Sequence, residues 1–159
     1  MAYEACQTVS FRRARFSTRL PTHLRYTASH YWLQEAQPGL WRVGFTEFAL
    51  RMLGELVEVE FETKPAATTE IGQVIGWVES FKAAADIYCA VGGEFVGENP
   101  LLGQNIAIVL TDPYGEGWLY AVRGQPDPAA MEVEQYVQVL TATVDKLRSQ
   151  QDASASEPG

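Results

Sequence analysis

The chain has 159 residues, 47% of them hydrophobic, which is enough for one compact domain with terminal extensions. Its net charge of −8 excludes general nucleic-acid binding, because phosphate recognition needs a basic footprint. The charge is uneven: residues 1–34 hold Arg12, Arg13, Arg15, Arg19 and Arg25 against Glu4 alone, and the rest of the chain is strongly acidic.

Residues 1–22 read as a basic N-terminal arm packed on the domain, with Phe11, Phe16 and Leu20 as anchors and Pro21 as its end. The same Arg-rich composition over residues 10–25 also fits an organelle transit segment, so both readings stand at this point. No run approaches the ~20 apolar residues that span a bilayer, and no apolar stretch follows a charged start. A soluble, cytoplasmic protein without membrane contact is expected. Cys6 and Cys89 form no zinc or redox spacing, and Cys89 lies in an apolar run where cysteine acts as a small core hydrophobe. With His23 and His30 as the only histidines, a metal centre or a Cys-His nucleophile has little material.

Short strands at residues 31–33 and 41–45 are expected to pair across the turn Gln37-Pro38-Gly39. Thr46 then caps a short helix through Leu53, with Glu47 in its first turn, Gly54 as its stop, and Phe48, Met52 and Leu53 turned inward. Residues 56–62 alternate cleanly, placing Leu56 with Glu58, Glu60 and Glu62 on one face and Val57, Val59 and Phe61 on the other. Extended runs follow at 74–79, 87–91 and 95–96, the last two separated by a Gly92-Gly93 turn. After Asn99-Pro100 comes an apolar run at 106–110, then a sharp turn at 113–117 and a strand at 118–122. Short strands between such turns imply a small barrel or sandwich that is mainly β. The glycines at 115 and 117 supply backbone freedom; no lysine and no helix start follow them, as a phosphate loop requires.

The end of the chain differs in kind. Asp127-Pro128 suits a helix start, and Val133, Tyr136, Val137, Leu140, Val144 and Leu147 recur at three- and four-residue steps, which predicts an amphipathic helix over 127–148. Its apolar stripe packs on the barrel or docks on a partner. Residues 149–159 are small and polar and are expected to be a disordered tail.

Lysine occurs only at 64, 82 and 146. Lys82 interrupts Trp77-Val78-Glu79-Ser80-Phe81-Lys82-Ala83-Ala84-Ala85, between two strand-forming runs, so the simplest geometry is a hairpin that exposes the amine. On physics alone, such a lysine is a solvated charge.

The run from Gly76 to Tyr88 resembles the lipoylation segment of the glycine cleavage system H proteins, in which the lysine of Glu-Ser-Val-Lys-Ala carries lipoate; here Phe81 stands for the valine. Ser29-His30-Tyr31-Trp32, Gly44-Phe45-Thr46, Gly93-Glu94 and Asp112-Pro113-Tyr114-Gly115-Glu116-Gly117-Trp118-Leu119 match the same family in order. The resemblance covers about residues 24–122 and implies a lipoyl domain at 23–124 with the barrel-sandwich hybrid fold of lipoyl and biotinyl domains. It implies lipoate attached covalently to Lys82, because biotin carriers flank their lysine with methionine, where this chain has Phe81 and Ala83. Glu79 and Ser80 are then recognition elements for the attaching enzyme or merely solvate the hairpin; Phe81 shields the arm or fills the barrel mouth. Ala83 completes the segment, and His30 is expected to support a strand rather than assist transfer.

The chain is thus expected to be a carrier serving partner enzymes and not itself an enzyme. Its departures from the H pattern, namely Tyr31 within His30-Tyr31-Trp32, Trp77, Phe81, Cys89 and the added C-terminal helix, resemble the lipoate-binding proteins of the heterodisulfide-reductase-like sulfur oxidation system. That likeness favours sulfur intermediates as cargo. The implied partners are a heterodisulfide-reductase-like complex, a lipoate ligase or lipoyltransferase, and dihydrolipoyl dehydrogenase. The alternative is a glycine cleavage H protein moving an aminomethyl group between glycine decarboxylase, aminomethyltransferase and dihydrolipoyl dehydrogenase. A third reading is an unlipoylated scaffold or a lipoate relay.

Overall fold

The computed structural model describes residues 7–156, with side chains to residue 151, so Cys6 and residues 157–159 of the expected tail lie outside the described residues. Eleven strands and three helices follow one another along it, the last helix ending the described chain. Strands β1 (Thr8–Arg13) and β2 (Phe16–Pro21) form a separate antiparallel hairpin. Six strands form one antiparallel sheet in the order β3 (Arg25–Tyr26), β4 (Tyr31–Gln37), β5 (Leu40–Phe45), β11 (Tyr120–Pro126), β10 (Val91–Glu98) and β7 (Thr68–Thr69). A second sheet has the order β6 (Leu56–Phe61), β8 (Val74–Ser80) and β9 (Ala84–Tyr88). The mainly β expectation therefore holds, with the paired strands at 31–33 and 41–45 in antiparallel register.

Two apolar clusters hold these layers. One lies between the sheets and contains Leu33, Val43, Ile75, Val78, Ile87, Val91, Phe95 and Val122. The other joins the hairpin to the two major helices through Phe11, Phe16, Leu20, Phe48, Tyr136, Leu140 and Val144. The segment weighed as a transit peptide is thus a hairpin whose Leu20 is fully buried. Its three expected anchors are all in this second cluster.

Helix α1 (Glu47–Leu53) begins at Thr46, whose hydroxyl accepts from the Ala49 amide at 3.3 Å, and stops at Gly54, whose φ of 83° a side chain rarely adopts. Its inward face carries Phe48 and Leu53 as expected but not Met52. Phe48 and Leu50 are buried, Leu53 is intermediate, and Met52 is 49% exposed, because the sheet covers only one side of this short helix.

The clean alternation of β6 also breaks. A bulge between Leu56 and Glu58 leaves Val57 unpaired, so Leu56 turns to the core with Val59 while Val57 is exposed. One extra residue re-phases the strand, which moves the single misplaced apolar side chain off the glutamate face. On the neighbouring strand, a Cβ at Gly76 would lie 2.1 Å from the Glu60 carbonyl oxygen, so the close approach of β6 and β8 requires glycine there.

Further along, Gly92 and Gly93 are not a turn. They lie inside β10, and the link from β9 is the two buried residues Cys89 and Ala90. The apolar run at 106–110 forms a single helical turn, α2 (Ile108–Thr111), following a 3-10 turn at Pro100–Gly103. The strand expected at 118–122 begins at Tyr120 and continues to Pro126.

Helix α3 (Val133–Ser156) departs from its expected bounds at both ends. Asp127 and Pro128 lie in a turn, Met131 bridges to Tyr26, and the helix starts after that bridge. At its far end residues 149–156 are helical rather than a disordered tail: Gln and Ala favour helix, and propagation from a packed segment costs little compared with nucleation. Leu140 is fully buried in the second cluster. Leu140→Ala is expected to lower unfolding free energy by ~2–5 kcal/mol in a denaturant titration, since both a transfer loss and a cavity follow.

Candidate functional site

The strands β8 and β9 pair from Val74 with Tyr88 to Glu79 with Ala84, and residues 81–83 turn between them. The Ser80 amide donates to the Ala83 carbonyl at 2.8 Å. The Ser80 hydroxyl does more: it accepts from the Lys82 amide at 3.2 Å and the Ala83 amide at 3.0 Å, and donates to the Ala83 carbonyl at 3.1 Å. A short side-chain acceptor thus closes the turn and satisfies two amides that have no strand partner. The Phe81 amide donates to the Glu55 carbonyl at 3.2 Å, which pins the tip to the loop between α1 and β6.

Lys82 is exposed at that tip, and no described ion pair involves it. Its stem lies across the end of α1: a Cβ at Gly54 would stand 2.8 Å from Lys82 Cε. The ammonium therefore leaves from beside the last carbonyls of a helix, a position that suits a cation. Lys64 is exposed beside a turn, and Lys146 is exposed on α3; neither sits on a hairpin tip.

The other residues singled out separate into distinct roles. Ser80 is only 8% exposed and builds the turn, so it is not a surface contact; Glu79 is exposed beside Ala84. Phe81 is 77% exposed and does not fill the barrel mouth, because the mouth is already packed by Leu56, Val78 and Leu50 in the core. Ala83 is exposed within the turn. Glu58 pairs with Glu79 across β6 and β8, and its carboxyl is raised by a hydrogen bond with Glu60, by loss of solvation, and by the charges of Glu60 and Glu79, so the outer face below the lysine is acidic.

A groove of 260 Å³ runs along the same hairpin toward α1. Val78 and Ala85, one pair removed from Glu79 and Ala84, form one wall; Met52 and Leu53 form another, and His30 and Tyr31 close its end. Tyr31 accepts from the Tyr88 amide at 3.0 Å, and burial pushes its hydroxyl up to about 12. His30 has a left-handed φ of 74°, contacts the Phe48 ring at 4.6 Å, and has its Nδ1 2.8 Å from the Tyr136 hydroxyl. Burial holds its imidazole at about 4, so it is neutral near pH 7 and supports the fold, as expected. Cys89 is buried, and its thiol donates to the Val91 carbonyl at 3.0 Å.

Sequence reading found the lysine and its neighbours but missed Gly54, Glu55, Met52 and Tyr31 as parts of the site. Gly54 carried a legible signal as a helix stop, but nothing in the chain order tells that its surface lies under the Lys82 stem.

A β domain that presents a free amine on a hairpin tip, with an apolar groove beside it, defines the class of carrier domains that bear a prosthetic arm. The comparisons narrow this. The model of the family described as "Glycine cleavage H-protein" matches residues 24–145. The glycine cleavage system H protein of Pseudoalteromonas atlantica is 40% identical over 106 residues, covering 67% of this chain and 81% of that one. That of Corynebacterium jeikeium is 39% identical over 122 residues, covering 75% and 95%. The crystal structure of a glycine cleavage system H protein from Mycobacterium marinum superposes with a TM-score of 0.68 at 33% identity, over 75% of this chain and 97% of that one. The chain belongs to the glycine cleavage H-protein family. Proteins of this family carry lipoate covalently on a lysine. Lys82 fits such a group: its residue is exposed and unpaired among the described ion pairs, and an apolar groove opens further down the same hairpin, at Val78 and Ala85.

Two measurements probe this geometry. Ser80→Ala is expected to cost about 1 kcal/mol and to speed hydrogen exchange at the Lys82 and Ala83 amides, with the strand amides of β8 unaffected. For His30, the unfolded chain takes up a proton near pH 6.5 and the native protein only near 4. Stability is therefore complete above pH 6.5 and falls as pH drops from 6.5 toward 4, because the unfolded state binds more protons there. His30→Asn, which tolerates the left-handed backbone, is expected to flatten that part of a denaturation-versus-pH profile.

Proposed function

We propose that the chain is a lipoyl carrier whose arm is attached to Lys82 and serves glycine cleavage. The observation that carries this reading is the placement of the family's lysine motif on a turn locked by the Ser80 hydroxyl, with the amine outward. The turn gives a ligase or lipoyltransferase an unobstructed nucleophile, and Glu79 is the neighbouring side chain available for it to recognise. Amide formation removes the lysine's charge and leaves the acidic face of Glu58, Glu60 and Glu79 uncompensated, so the tip changes its electrostatic character on loading. When bound, lipoate supplies a dithiolane that opens by reduction or thiol exchange and can hold a transferred group.

The rest is positioning. Gly54 leaves room for the stem, Glu55 anchors the tip by its carbonyl, and the groove lined by Met52, Leu53, Val78 and Ala85 gives an apolar chain a sheltered place to lie. Exposed Phe81 is placed to cover the stem of the arm, the first of its two expected uses. Glycine decarboxylase, aminomethyltransferase and dihydrolipoyl dehydrogenase are the partners this reading implies, with the carrier itself performing no catalysis.

The sulfur-carrier expectation draws no support from the relatives, and three of the features behind it, Tyr31, Cys89 and the C-terminal helix, have structural explanations. Tyr31 holds the Tyr88 amide, Cys89 is a buried core thiol bonded to Val91, and the added helix packs on Tyr26 and His30. None of these presents sulfur chemistry at the tip.

Lys82→Arg is expected to retain the fold by circular dichroism and to abolish lipoylation by intact mass, because a guanidinium is not acylated by the ligase. Lys64→Arg and Lys146→Arg are expected to load fully. Loaded protein should support glycine-dependent exchange with glycine decarboxylase. Activity only with heterodisulfide-reductase-like subunits reverses the choice of cargo, and an unmodified Lys82 in cells that lipoylate other proteins removes the carrier reading.

A further inference from the structure

A second groove, of 480 Å³, lies on the other side of α1, between the turn of the β1–β2 hairpin and the last turns of α3. Its floor is apolar, formed by Phe16, Phe48, Val144 and Leu147. Its rim carries Arg15, Arg51 and Arg148, all exposed, and no carboxylate lines it among the described residues. On a chain of net charge −8 this is a local reversal of sign around an apolar recess, with Met52 exposed at its edge.

The groove combines residues of the family's common core, Phe48, Arg51, Met52 and Val144, with residues outside it. The family match spans residues 24–145, yet Arg15 and Phe16 precede it and Leu147 and Arg148 follow it. The hairpin and α3 are fixed to each other by a two-pronged contact, Arg13 Nε to Asp145 Oδ1 at 2.7 Å and Arg13 Nη2 to Asp145 Oδ2 at 2.9 Å. Both partners are 47% exposed, so the pair contributes little to stability, but it sets the spacing of hairpin and helix. Arg13 and the nearby Arg148 lower the Asp145 carboxyl, so the contact is ionised at neutral pH. The arginines left on the rim have no such partner among the described ion pairs.

We propose that this arginine-rimmed groove is a docking site for an acidic segment of a partner protein that inserts apolar side chains between the hairpin turn, α1 and the end of α3. Charge complementarity selects the occupant: planar guanidinium groups around an apolar floor match carboxylates flanking an apolar stripe, as on one face of an amphipathic helix. The recess disfavours a membrane, whose plane would meet the rim before the floor. Position gives the contact its use. Met52 borders both this groove and the groove beside the lysine hairpin, and Arg51 stands three residues before Gly54, on which the Lys82 stem rests. A partner seated here lies alongside the carrier tip; that last placement rests on the lipoyl-Lys82 reading, whereas the binding itself does not.

The test is an NMR titration of the full-length chain with a synthetic helical peptide of about four turns, leucines along one face and glutamates flanking them, against a twin with lysines in place of the glutamates. The acidic peptide is expected to shift amides at 14–16, 51–52 and 147–151, to weaken roughly tenfold in the Arg51→Ala/Arg148→Ala variant, and to weaken with added salt. Lys82→Arg is expected to bind it unchanged, which separates this site from the carrier reading. Equal affinity for both peptides, shifts confined to other faces, or no binding overturns the proposal. So does stronger attachment to phosphatidylglycerol vesicles than to the peptide, or a concentration-dependent dimer that covers the same amides without peptide.

Discussion

A single hydroxyl group, on Ser80, holds the functional end of this molecule in shape. It replaces the strand partners that the amides of Lys82 and Ala83 lose where β8 gives way to β9, and it does so from a nearly buried position. With those amides satisfied locally, the turn needs no support from the lysine side chain. The amine is consequently spared from structural duty, which the proposed acylation of Lys82 requires. The adjoining contact of the Phe81 amide with Glu55 then sets where the turn sits relative to α1.

Around that tip the two sheets act as a scaffold of close approaches rather than of charged contacts. Glycine at 76 lets β6 and β8 come together, and burial of Ile75, Val78 and Ile87 on the inner face fixes which residues of the hairpin face out. The outer face is left to Glu58, Glu60 and Glu79. A neutral, acylated lysine above three carboxylates and a cationic one above the same three are different surfaces, and partners that must distinguish loaded from unloaded carrier have that difference to read.

Much of this was legible in the chain. The helix from Thr46 to Gly54 announced both its ends through a capping hydroxyl and a glycine, and the lysine hairpin announced itself through two apolar runs around a small-residue turn. What failed did so for identifiable reasons. Residues 56–62 alternate perfectly on paper, and only a bulge at Val57 reconciles Leu56 with the core; alternation cannot report a bulge. Gly92-Gly93 has the composition of a turn, but here the glycines serve a strand pressed against its neighbours. Of the two uses open to Phe81, filling the barrel mouth fails because the ring is exposed, and its neighbour Ser80, which looked like surface because it is polar, is nearly buried. The last residues of α3 read as tail because they are small and polar, yet helices extend cheaply once packing has begun them.

Besides its apolar packing and the Arg13–Asp145 pair, the helix at the end of the chain is tied to α1 through one phenol. The Tyr136 hydroxyl lies 3.0 Å from the Thr46 hydroxyl and 2.8 Å from His30, while its ring stacks on Tyr26 at 4.7 Å. Thr46 begins α1, and the other end of α1 receives the stem of Lys82. Seven residues of helix, roughly 10 Å of stiff rod, thus separate the anchorage of α3 from the platform beneath the lysine. A displacement of α3 by even a fraction of its own width must either tear Tyr136 from the cap or tilt that rod, and tilting it re-aims the amine.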